Sequence, residues 1–188
     1  MSKAKGVKAK GKPMKDVELR LVSELMKNSR RSDRELAKTV GVSQPTVSRT
    51  VKKLEKEGYI QEYTMIPNFV KLGYKILALT LVKLKQPLGE QEIDRAGKIA
   101  KDAIKTGPFE VVMLERGIGL DGDGVFISYH LDYNAYVKFM GWLRQFEFLR
   151  IDEIRSFLVN LEDEVRYRPL TFSLLSQHMT KRSLGRNE

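Results

Sequence analysis

The chain contains no cysteine and only two histidines, His130 and His178. Disulfides, thiolate zinc sites and cysteine nucleophiles are therefore excluded. One histidine lies in a predicted strand and the other in a polar tail, so neither a metal cluster nor a Ser-His-Asp set is indicated. We interpret both histidines as structural, and we predict no catalytic residue, no metal site and no cofactor.

Long apolar runs are also missing. The longest nearly apolar run, Ile76 to Val82, is far too short to span a bilayer, and the N-terminal residues lack the apolar core of a secretory signal. The absence of cysteine is compatible with a reducing cytosol. We therefore expect a soluble, cytoplasmic protein with no membrane partner.

Positive charge is unevenly distributed along the 188 residues. Of the net charge of +10, six units lie in residues 1–15, which carry six lysines and no acid, whereas residues 67–177 contain fifteen bases and fifteen acids. Residues 1–15 have no apolar periodicity, so we expect a disordered basic arm. Such an arm serves either as a solubilising tail or as a segment that follows DNA.

Two short helices joined by a tight turn are predicted in the N-terminal third. Ser32 and Glu35 form a capping-box pattern that begins one helix, and Gly41 ends it. Ser43 can cap a second helix, which ends at Gly58. This spacing is typical of a helix–turn–helix, a unit that commonly binds DNA.

The second helix has an apolar side and a basic side. The residues of the packing side recur at helical spacing and are Val47, Thr50, Val51 and Leu54, three of them apolar. A basic outer side suits a phosphate-lined major groove, although it can also be merely a solvated surface. We predict that DNA is contacted by an arginine cluster and by the polar and basic side of this helix: Arg30, Arg31, Arg34, Ser43, Gln44, Thr46, Ser48, Arg49, Lys52 and Lys53.

Two further segments complete the predicted DNA-binding domain, residues 16–66. Asp16 to Asn28 carries an apolar stripe and is predicted as a first helix packed under the other two. Tyr59 to Ile66 alternates apolar and polar residues until Pro67, which predicts a strand that serves as a wing.

The order and spacing of these motifs resemble the leucine-responsive regulator (Lrp/AsnC) family of transcription factors. The segments that carry the resemblance are ELAKTVGVS, RTVKKLEKEGYI and KLGYKILALTLVKL, between Asp16 and Leu84. The resemblance implies an α+β chain, with a winged helix–turn–helix joined to a βαββαβ ferredoxin-like domain. It also implies binding to double-stranded DNA, a homodimer or larger homo-oligomer, and a small effector, commonly an amino acid.

The residues beyond Pro67 fit that expectation by pattern. After a linker at 67–75, they read as strand, helix, strand, strand, helix, strand, and we assign residues 76–177 to a dimerisation and effector domain. Residues 178–188 are predicted to be a flexible tail.

A glycine-rich turn, Gly117 to Gly124, is the segment of the second domain that suggests a ligand site. We predict that Gly119, Asp121, Gly122 and Asp123 receive an effector, because the two carboxylates can bind an ammonium group. The resembled family has a Gly-x-x-Asp pattern near its effector site, and this sequence does not reproduce it. A simple hairpin loop that uses Gly and Asp for turn geometry is the alternative.

Two other functions remain open at this point. A non-specific DNA-coating protein would suit the basic arm, and salt dependence and sequence preference would distinguish it from a regulator. Some haem-pathway decarboxylases resemble these regulators in architecture, but such an enzyme does not require a basic helix with Arg49, Lys52 and Lys53. We predict a sequence-selective transcriptional regulator.

Overall fold

The computed structural model describes residues 14–106, 109–165, 167, 168 and 170–184, so most of the predicted basic arm lies outside the described residues. The chain divides into two compact units: unit 1 comprises residues 1–66 and 168–188, and unit 2 comprises residues 67–167. In chain order the elements are α1 (Asp16–Lys27), α2 (Asp33–Val40), α3 (Gln44–Lys56), β1 (Ile76–Leu84), α4 (Glu90–Thr106), β2 (Glu110–Gly119), β3 (Gly122–His130), α5 (Tyr133–Leu143), β4 (Ile151–Asn160) and α6 (Ser173–Leu184), with a short 3₁₀ turn at Glu147–Leu149.

Local capping interactions determine where α2 begins and ends. The Ser32 hydroxyl accepts the backbone N–H of Glu35 at 3.3 Å, and the Glu35 carboxylate accepts the backbone N–H of Ser32 at 2.8 Å. Gly41 ends the helix with a φ of 79°, a conformation that glycine adopts at little cost. The predicted capping box and stop are confirmed.

Helix α3 also has its predicted ends. The Ser43 hydroxyl accepts the backbone N–H of Thr46 at 3.3 Å. After the helix the chain turns through Gly58 with a φ of 75°, and the backbone N–H of Tyr59 donates to the Leu54 carbonyl at 2.9 Å. This bond satisfies a carbonyl that the end of the helix would otherwise leave unpaired.

The core of unit 1 is formed by the inner sides of the first three helices. Leu21 of α1, Leu36 of α2 and Val47 of α3 are at most 1% exposed and belong to one cluster. Leu54 of α3 has no exposed surface either. The burial of Val47 and Leu54 confirms the predicted inner side of the second helix.

The strand predicted at Tyr59 to Ile66 is absent from the described chain. Residues 60–66 form neither helix nor strand, because no second strand lies beside them within the described residues. Tyr63, Met65 and Ile66 are 49%, 71% and 43% exposed. The alternation of apolar and polar residues therefore does not here produce a hydrogen-bonded wing strand.

A fourth helix completes unit 1, and the sequence did not predict it. The second domain was expected to extend to Gln177 and a flexible tail to begin at His178, whereas α6 spans that boundary and packs on α1. The Ser23 hydroxyl donates to the Ser176 carbonyl at 3.0 Å, and both serines are fully buried. Their small side chains allow the two helices to approach closely. Residues 185–188 lie outside the described part of the chain.

Unit 2 is built around a four-stranded antiparallel sheet. The strand order is β2-β3-β1-β4, so β1 and β3 occupy the centre. Combined with the element order β-α-β-β-α-β, this arrangement confirms the predicted ferredoxin-like topology. Tyr136, Phe139 and Leu143 of α5 are at most 9% exposed and pack against Ala78 and Phe126 of the sheet.

The opposite side of this sheet bears apolar residues. Leu79 lies opposite Ile127 of β3 and Phe157 of β4, and Leu79 and Phe157 are 37% and 70% exposed. Side chains alternate between the two sides of a strand, so the neighbours of Leu79, Ala78 and Thr80, face the helices and are fully buried. We call Leu79, Ile127 and Phe157 the open face.

The glycine-rich segment forms a tight turn. The sequence predicted a loop from Gly117 to Gly124, but β2 extends to Gly119 and β3 begins at Gly122. Leu120 and Asp121 alone form the turn, with φ values of 49° and 56°. Two consecutive left-handed residues match the right-handed twist of the paired strands.

His130 is a buried core residue at the end of β3. Its Nε2 lies 2.8 Å from the Ser128 hydroxyl, whereas Nδ1 has no partner in the described structure. The ring packs 5.3 Å from that of Phe139 and 5.6 Å from that of Tyr136, measured between centroids. Burial lowers the pKa of His130, so the neutral imidazole is favoured.

Removal of α6 tests whether it is part of unit 1. We expect truncation after Tyr167 to lower the melting temperature of unit 1 by roughly 5 °C or more. A loss of about 1 kcal/mol in the free energy of unfolding lowers the melting temperature of a small domain by about 4–8 °C. Thermal unfolding followed by circular dichroism measures this. Truncation after Leu184 is the matched control, and equal melting temperatures for the two truncated chains would contradict the assignment.

Candidate nucleic-acid interface

The outer side of α3 carries polar and basic side chains that are free to meet a ligand. Gln44, Arg49 and Lys52 are exposed, and none has a hydrogen-bond or ion-pair partner among the described residues. These three side chains point outward because Val47 and Leu54 are buried on the inner side of the same helix. Gln44 and Arg49 lie in the N-terminal half of the helix, the part that meets base edges when a helix–turn–helix docks.

Two other predicted contacts are engaged in the helix cap. The Ser43 and Thr46 hydroxyl oxygens lie 2.7 Å apart, and Ser43 also accepts the N–H of Thr46. Both residues are exposed, but these bonds fix them in the first turn. Ser48 is half-buried. Ser43 and Thr46 therefore offer less free hydrogen-bonding capacity than Gln44.

The arginine cluster separates into paired and unpaired members. Arg31 forms an ion pair with Glu24 of α1, whose side chain is 13% exposed, and Glu24 also pairs with Lys27. Arg30 and Arg34 are exposed and have no side-chain partner in the described residues. Arg31 thus helps to hold α1, whereas the other two remain available for phosphate.

Lys53 is joined to α1. Its Nζ lies 2.6 Å from Oε1 of Glu18, and Oε2 of Glu18 accepts the backbone N–H of Lys15 at 2.8 Å. Glu18 is 8% exposed. The hydrogen bond from Lys53, followed by that from Lys15, lowers the pKa of Glu18, and the same ion pair raises the pKa of Lys53. Lys53 therefore neutralises a largely covered carboxylate and positions α3 against α1.

A contact that the sequence did not predict holds the segment after α3. The Tyr63 hydroxyl donates to Oε1 of Glu55 at 2.8 Å. Desolvation, and then the bond to Glu55, raise the pKa of Tyr63 to about 12, so the phenol stays protonated. The Ser29 hydroxyl also donates to the carbonyl of Thr64 at 3.3 Å. Neither contact has a signal in sequence spacing, because each depends on the path of an irregular segment.

Both carboxylates proposed for the effector have partners within unit 2. Asp121 lies 2.6 Å from Nζ of Lys83 and 4.0 Å from the guanidinium of Arg155. The hydrogen bond from Lys83 lowers the pKa of Asp121. Asp123 accepts the backbone N–H of Leu84 at 2.8 Å. The charge of Asp121 is thus already balanced by Lys83, and Asp123 already accepts one backbone hydrogen bond, so both carboxylates are less available to an incoming ammonium group.

The remaining two residues of that predicted effector set, Gly119 and Gly122, are a paired position at the ends of the hairpin strands. They supply turn geometry. The predicted set is thus brought together in space, but as a closed hairpin whose carboxylates already have donors.

A cavity of about 550 Å³ in unit 2 was not predicted from the sequence. Its lining combines three basic, two acidic and three apolar residues: Lys85, Arg144, Arg150, Glu147, Asp152, Phe146, Ile151 and Ile154. Arg150 pairs with Glu92 at 2.6 Å and has a φ of 48°, which is uncommon for a residue with a side chain. The cavity has the volume of a small-molecule site, with both signs of charge beside an apolar wall.

The described residues contain no group of three or more histidine or carboxylate side chains arranged to hold a metal ion. No described helix has both the length and the apolar character needed to cross a membrane.

Comparison with known proteins gives these surfaces a context. The family model for winged helix-turn-helix DNA-binding matches residues 14–61. An HTH-type transcriptional regulator from Pyrococcus abyssi is 33% identical over 107 residues, which are 54% of this chain and 71% of that protein. The crystal structure of PH0061, an HTH-type transcriptional regulator from Pyrococcus horikoshii, has a TM-score of 0.66 at 26% identity and covers 85% of this chain and 99% of its own.

The solved structure of AsnC has the same fold as this chain. The structure of Escherichia coli AsnC has a TM-score of 0.62 at 19% identity and covers 84% of this chain and 99% of its own. The chain belongs to the HTH-type transcriptional regulators and has the Lrp/AsnC fold. The resemblance and the fold class predicted from the sequence are therefore confirmed. The HTH-type relatives just described are named as transcriptional regulators.

The sequence matches are shorter than the structural ones. The chain spans 66%, 47% and 58% of the length of three HTH-type relatives from Pyrococcus. One further solved relative, the regulator NMB0573 from Neisseria meningitidis, is a complex with L-Met, with a TM-score of 0.65 at 18% identity over 87% of this chain and 99% of its own.

The contact between Glu18 and Lys53 predicts a pH-dependent stability. The pKa of Glu18 is lowered from 4.5, so the stability it contributes is present above that value and is lost as the pH falls through the folded-state pKa. We expect Glu18→Gln to flatten the acid loss of unfolding free energy, measured by denaturant titration between about pH 5 and pH 3. Lys53→Gln should do the same.

Two exposed positions supply matched controls for that experiment. Glu62→Gln and Lys52→Gln remove one charge of each sign from exposed side chains of unit 1. If they flatten the acid profile as much as the Glu18 and Lys53 variants do, the ion pair has no special role in stability.

Proposed function

We propose that the protein is a sequence-selective, dimeric regulator of transcription whose α3 reads bases in the major groove. The observation that carries the proposal is the exposed, unpartnered set of Gln44, Arg49 and Lys52 on the outer side of that helix. Gln makes two hydrogen bonds to adenine and Arg makes two to guanine, so Gln44 and Arg49 are suited to base readout.

Other basic residues are suited to contact the DNA backbone and do not read bases. Lys52, Arg30 and Arg34 are exposed. Their ammonium and guanidinium groups are suited to bind phosphate oxygens. Lys53 adds little to that surface because Glu18 neutralises it. This division favours a regulator over the alternative of a non-specific DNA-coating protein, in which all binding would follow phosphate contacts.

The open face of unit 2 supports a homodimer. Leu79 and Phe157 expose apolar surface on neighbouring strands, with Ile127 on the other side of Leu79. Burying this apolar surface against a second copy favours association by about 25 cal/mol of free energy for each Å² removed from water. A two-fold partner presents the same open face in return, so one patch serves both copies.

The cavity beside β4 is the better candidate for an amino-acid-like effector. Arg144 and Lys85 are suited to a carboxylate, Glu147 and Asp152 to an ammonium group, and Phe146 to an apolar side chain. The structure of NMB0573 with L-Met supports the idea that this fold accepts an amino acid. The hairpin carboxylates remain the alternative site.

Base readout is tested at Arg49. On a selected operator we expect Arg49→Ala to cost about 1–3 kcal/mol and to relax base preference, because guanine recognition is lost. Lys52→Ala is the matched control, and it should weaken selected and random DNA alike and reduce the salt slope by about one. Fluorescence anisotropy titrations measure both. Equal losses for Arg49→Ala on the two DNAs would remove it from base readout.

Dimerisation is tested on the open face. We expect Phe157→Lys in the full chain to yield monomers at micromolar concentration in light scattering, because a charge in the interface is left without water or partner. Val137→Lys is the matched control, since Val137 is 48% exposed on α5, away from the open face. A wild type that is already monomeric, or a Phe157→Lys variant that stays dimeric, would contradict the proposal.

The effector site is tested by thermal shift with the twenty amino acids. A ligand that binds only the folded state raises the melting temperature by mass action. We expect at least one amino acid to do so, and Arg144→Gln to abolish the response while Asp121→Asn retains it. The opposite pattern would return the site to the hairpin, and no response with or without operator would end the effector proposal.

A further inference from the structure

The chain between α3 and β1 is the shorter of two connections between the units. We call its first part, residues 59–64, the strap. The strap forms neither helix nor strand. Its position therefore depends on the contacts of individual residues and not on a hydrogen-bonded ladder.

Two contacts within unit 1 hold the far end of the strap. The Tyr63 hydroxyl donates to Oε1 of Glu55 at 2.8 Å. The Thr64 carbonyl accepts the Ser29 hydroxyl at 3.3 Å. The first bond is the stronger of the two, because its acceptor is charged and the distance is shorter. The strap is thus attached to unit 1 as far as Thr64.

Unit 2 holds the chain from Asn68 onward. The Asn68 carbonyl accepts the backbone N–H of Leu72 at 3.2 Å. The ring of Phe69 stacks on that of Tyr129, with 3.7 Å between the centroids. Tyr129 belongs to β3 and is 4% exposed, so Phe69 is packed against the sheet. The segment that begins at Asn68 is therefore part of the folded structure of unit 2.

Three residues remain between these two sets of attachments: Met65, Ile66 and Pro67. The four Cα–Cα steps from Thr64 to Asn68 span at most about 13–14 Å. Pro67 fixes its own φ and restricts Ile66 to extended conformations, so this connection is also stiff. The other connection, residues 161–172, is twelve residues long and sets no comparable limit.

We propose that the bond between Tyr63 and Glu55 determines which separations of DNA half-sites the dimer accepts. This inference rests on the proposed function of a sequence-selective dimer. With the strap attached, three residues join each reading unit to its dimerisation domain. When the strap is released, the free connection extends from Ile60, whose backbone stays bonded to α3, to Asn68. It then spans up to about 26–29 Å.

The length and stiffness of a connection decide how two linked binding groups share one ligand. Two reading helices on short connections bind together only at a matching separation of half-sites, and an avidity of about 10²–10⁴ is lost when the geometry forbids this. Longer connections tolerate other separations, but the effective concentration of the second helix falls roughly as the −3/2 power of their length. Tyr63 is therefore a positioning residue, which acts through the connection and not through contact with bases.

The test uses operators in which two base pairs are inserted or deleted between the half-sites. This change moves one half-site by about 7 Å and turns it by about 70° around the duplex. We expect the wild-type full chain to lose about 10²-fold in affinity on these operators. Tyr63→Phe should bind the original operator about threefold more weakly, and it should lose less than about tenfold on the altered ones. Anisotropy titrations measure each affinity.

Matched variants separate this effect from others. Tyr133→Phe removes the same hydroxyl from a tyrosine that is 61% exposed on α5, and it should keep the wild-type profile of affinity against separation. Glu55→Gln retains an oxygen that accepts the Tyr63 hydroxyl and should stay close to the wild type, whereas Glu55→Leu should match Tyr63→Phe. An insertion of four glycine and serine residues after Ile66 lengthens the connection directly and should broaden the profile.

A duplex with a single half-site shows whether the reading surface is intact. Tyr63→Phe should bind it as tightly as the wild type does, and a loss there that equals the loss on the operator would overturn the positioning role. A profile for Tyr63→Phe that equals the wild-type profile, or a broadening shared by Tyr133→Phe, would overturn the inference and leave the proposed function intact. If the wild type selects no operator with two half-sites, the proposed function fails as well.

Discussion

The burial of α3 against α1 and α2 is the interaction on which the candidate interface depends. Val47 and Leu54 are seven residues apart, two turns of the same helical side, and neither has exposed surface. Once these two side chains are buried, Arg49 and Lys52 have only solvent to face. The Glu18–Lys53 contact adds a directional constraint at the same helix, because a covered carboxylate requires its cation.

Charge and packing assign different tasks to residues that look alike in the sequence. Arg31 and Lys53 are held by carboxylates of α1, whereas Arg34 and Lys52 have no partner among the described residues. Composition counts all four as basic. Their division leaves a smaller set of free side chains on unit 1. In the dimer that we propose, the apolar open face of unit 2 joins two copies and so places two such sets in one assembly.

Local chemistry explains which parts of the fold could be predicted from the sequence. Ser32, Gly41 and Gly58 act on backbone groups within a few residues, so the bounds of α2 and α3 followed from spacing. Helix α6 has no comparable apolar stripe and is held by a serine contact to α1, 153 residues away in sequence. The partners of Asp121 likewise lie on other strands, which spacing does not reveal.

Selection of bound sequences from a random DNA library by the full chain tests the central claim most directly. A dimer that reads bases through two copies of α3 should enrich an inverted repeat, with half-sites about 10 base pairs apart from centre to centre or a multiple of that distance. Recovery of such a repeat would establish sequence selectivity and two-fold geometry together. A library that emerges without an enriched motif, or with a single unrepeated half-site, would contradict the account.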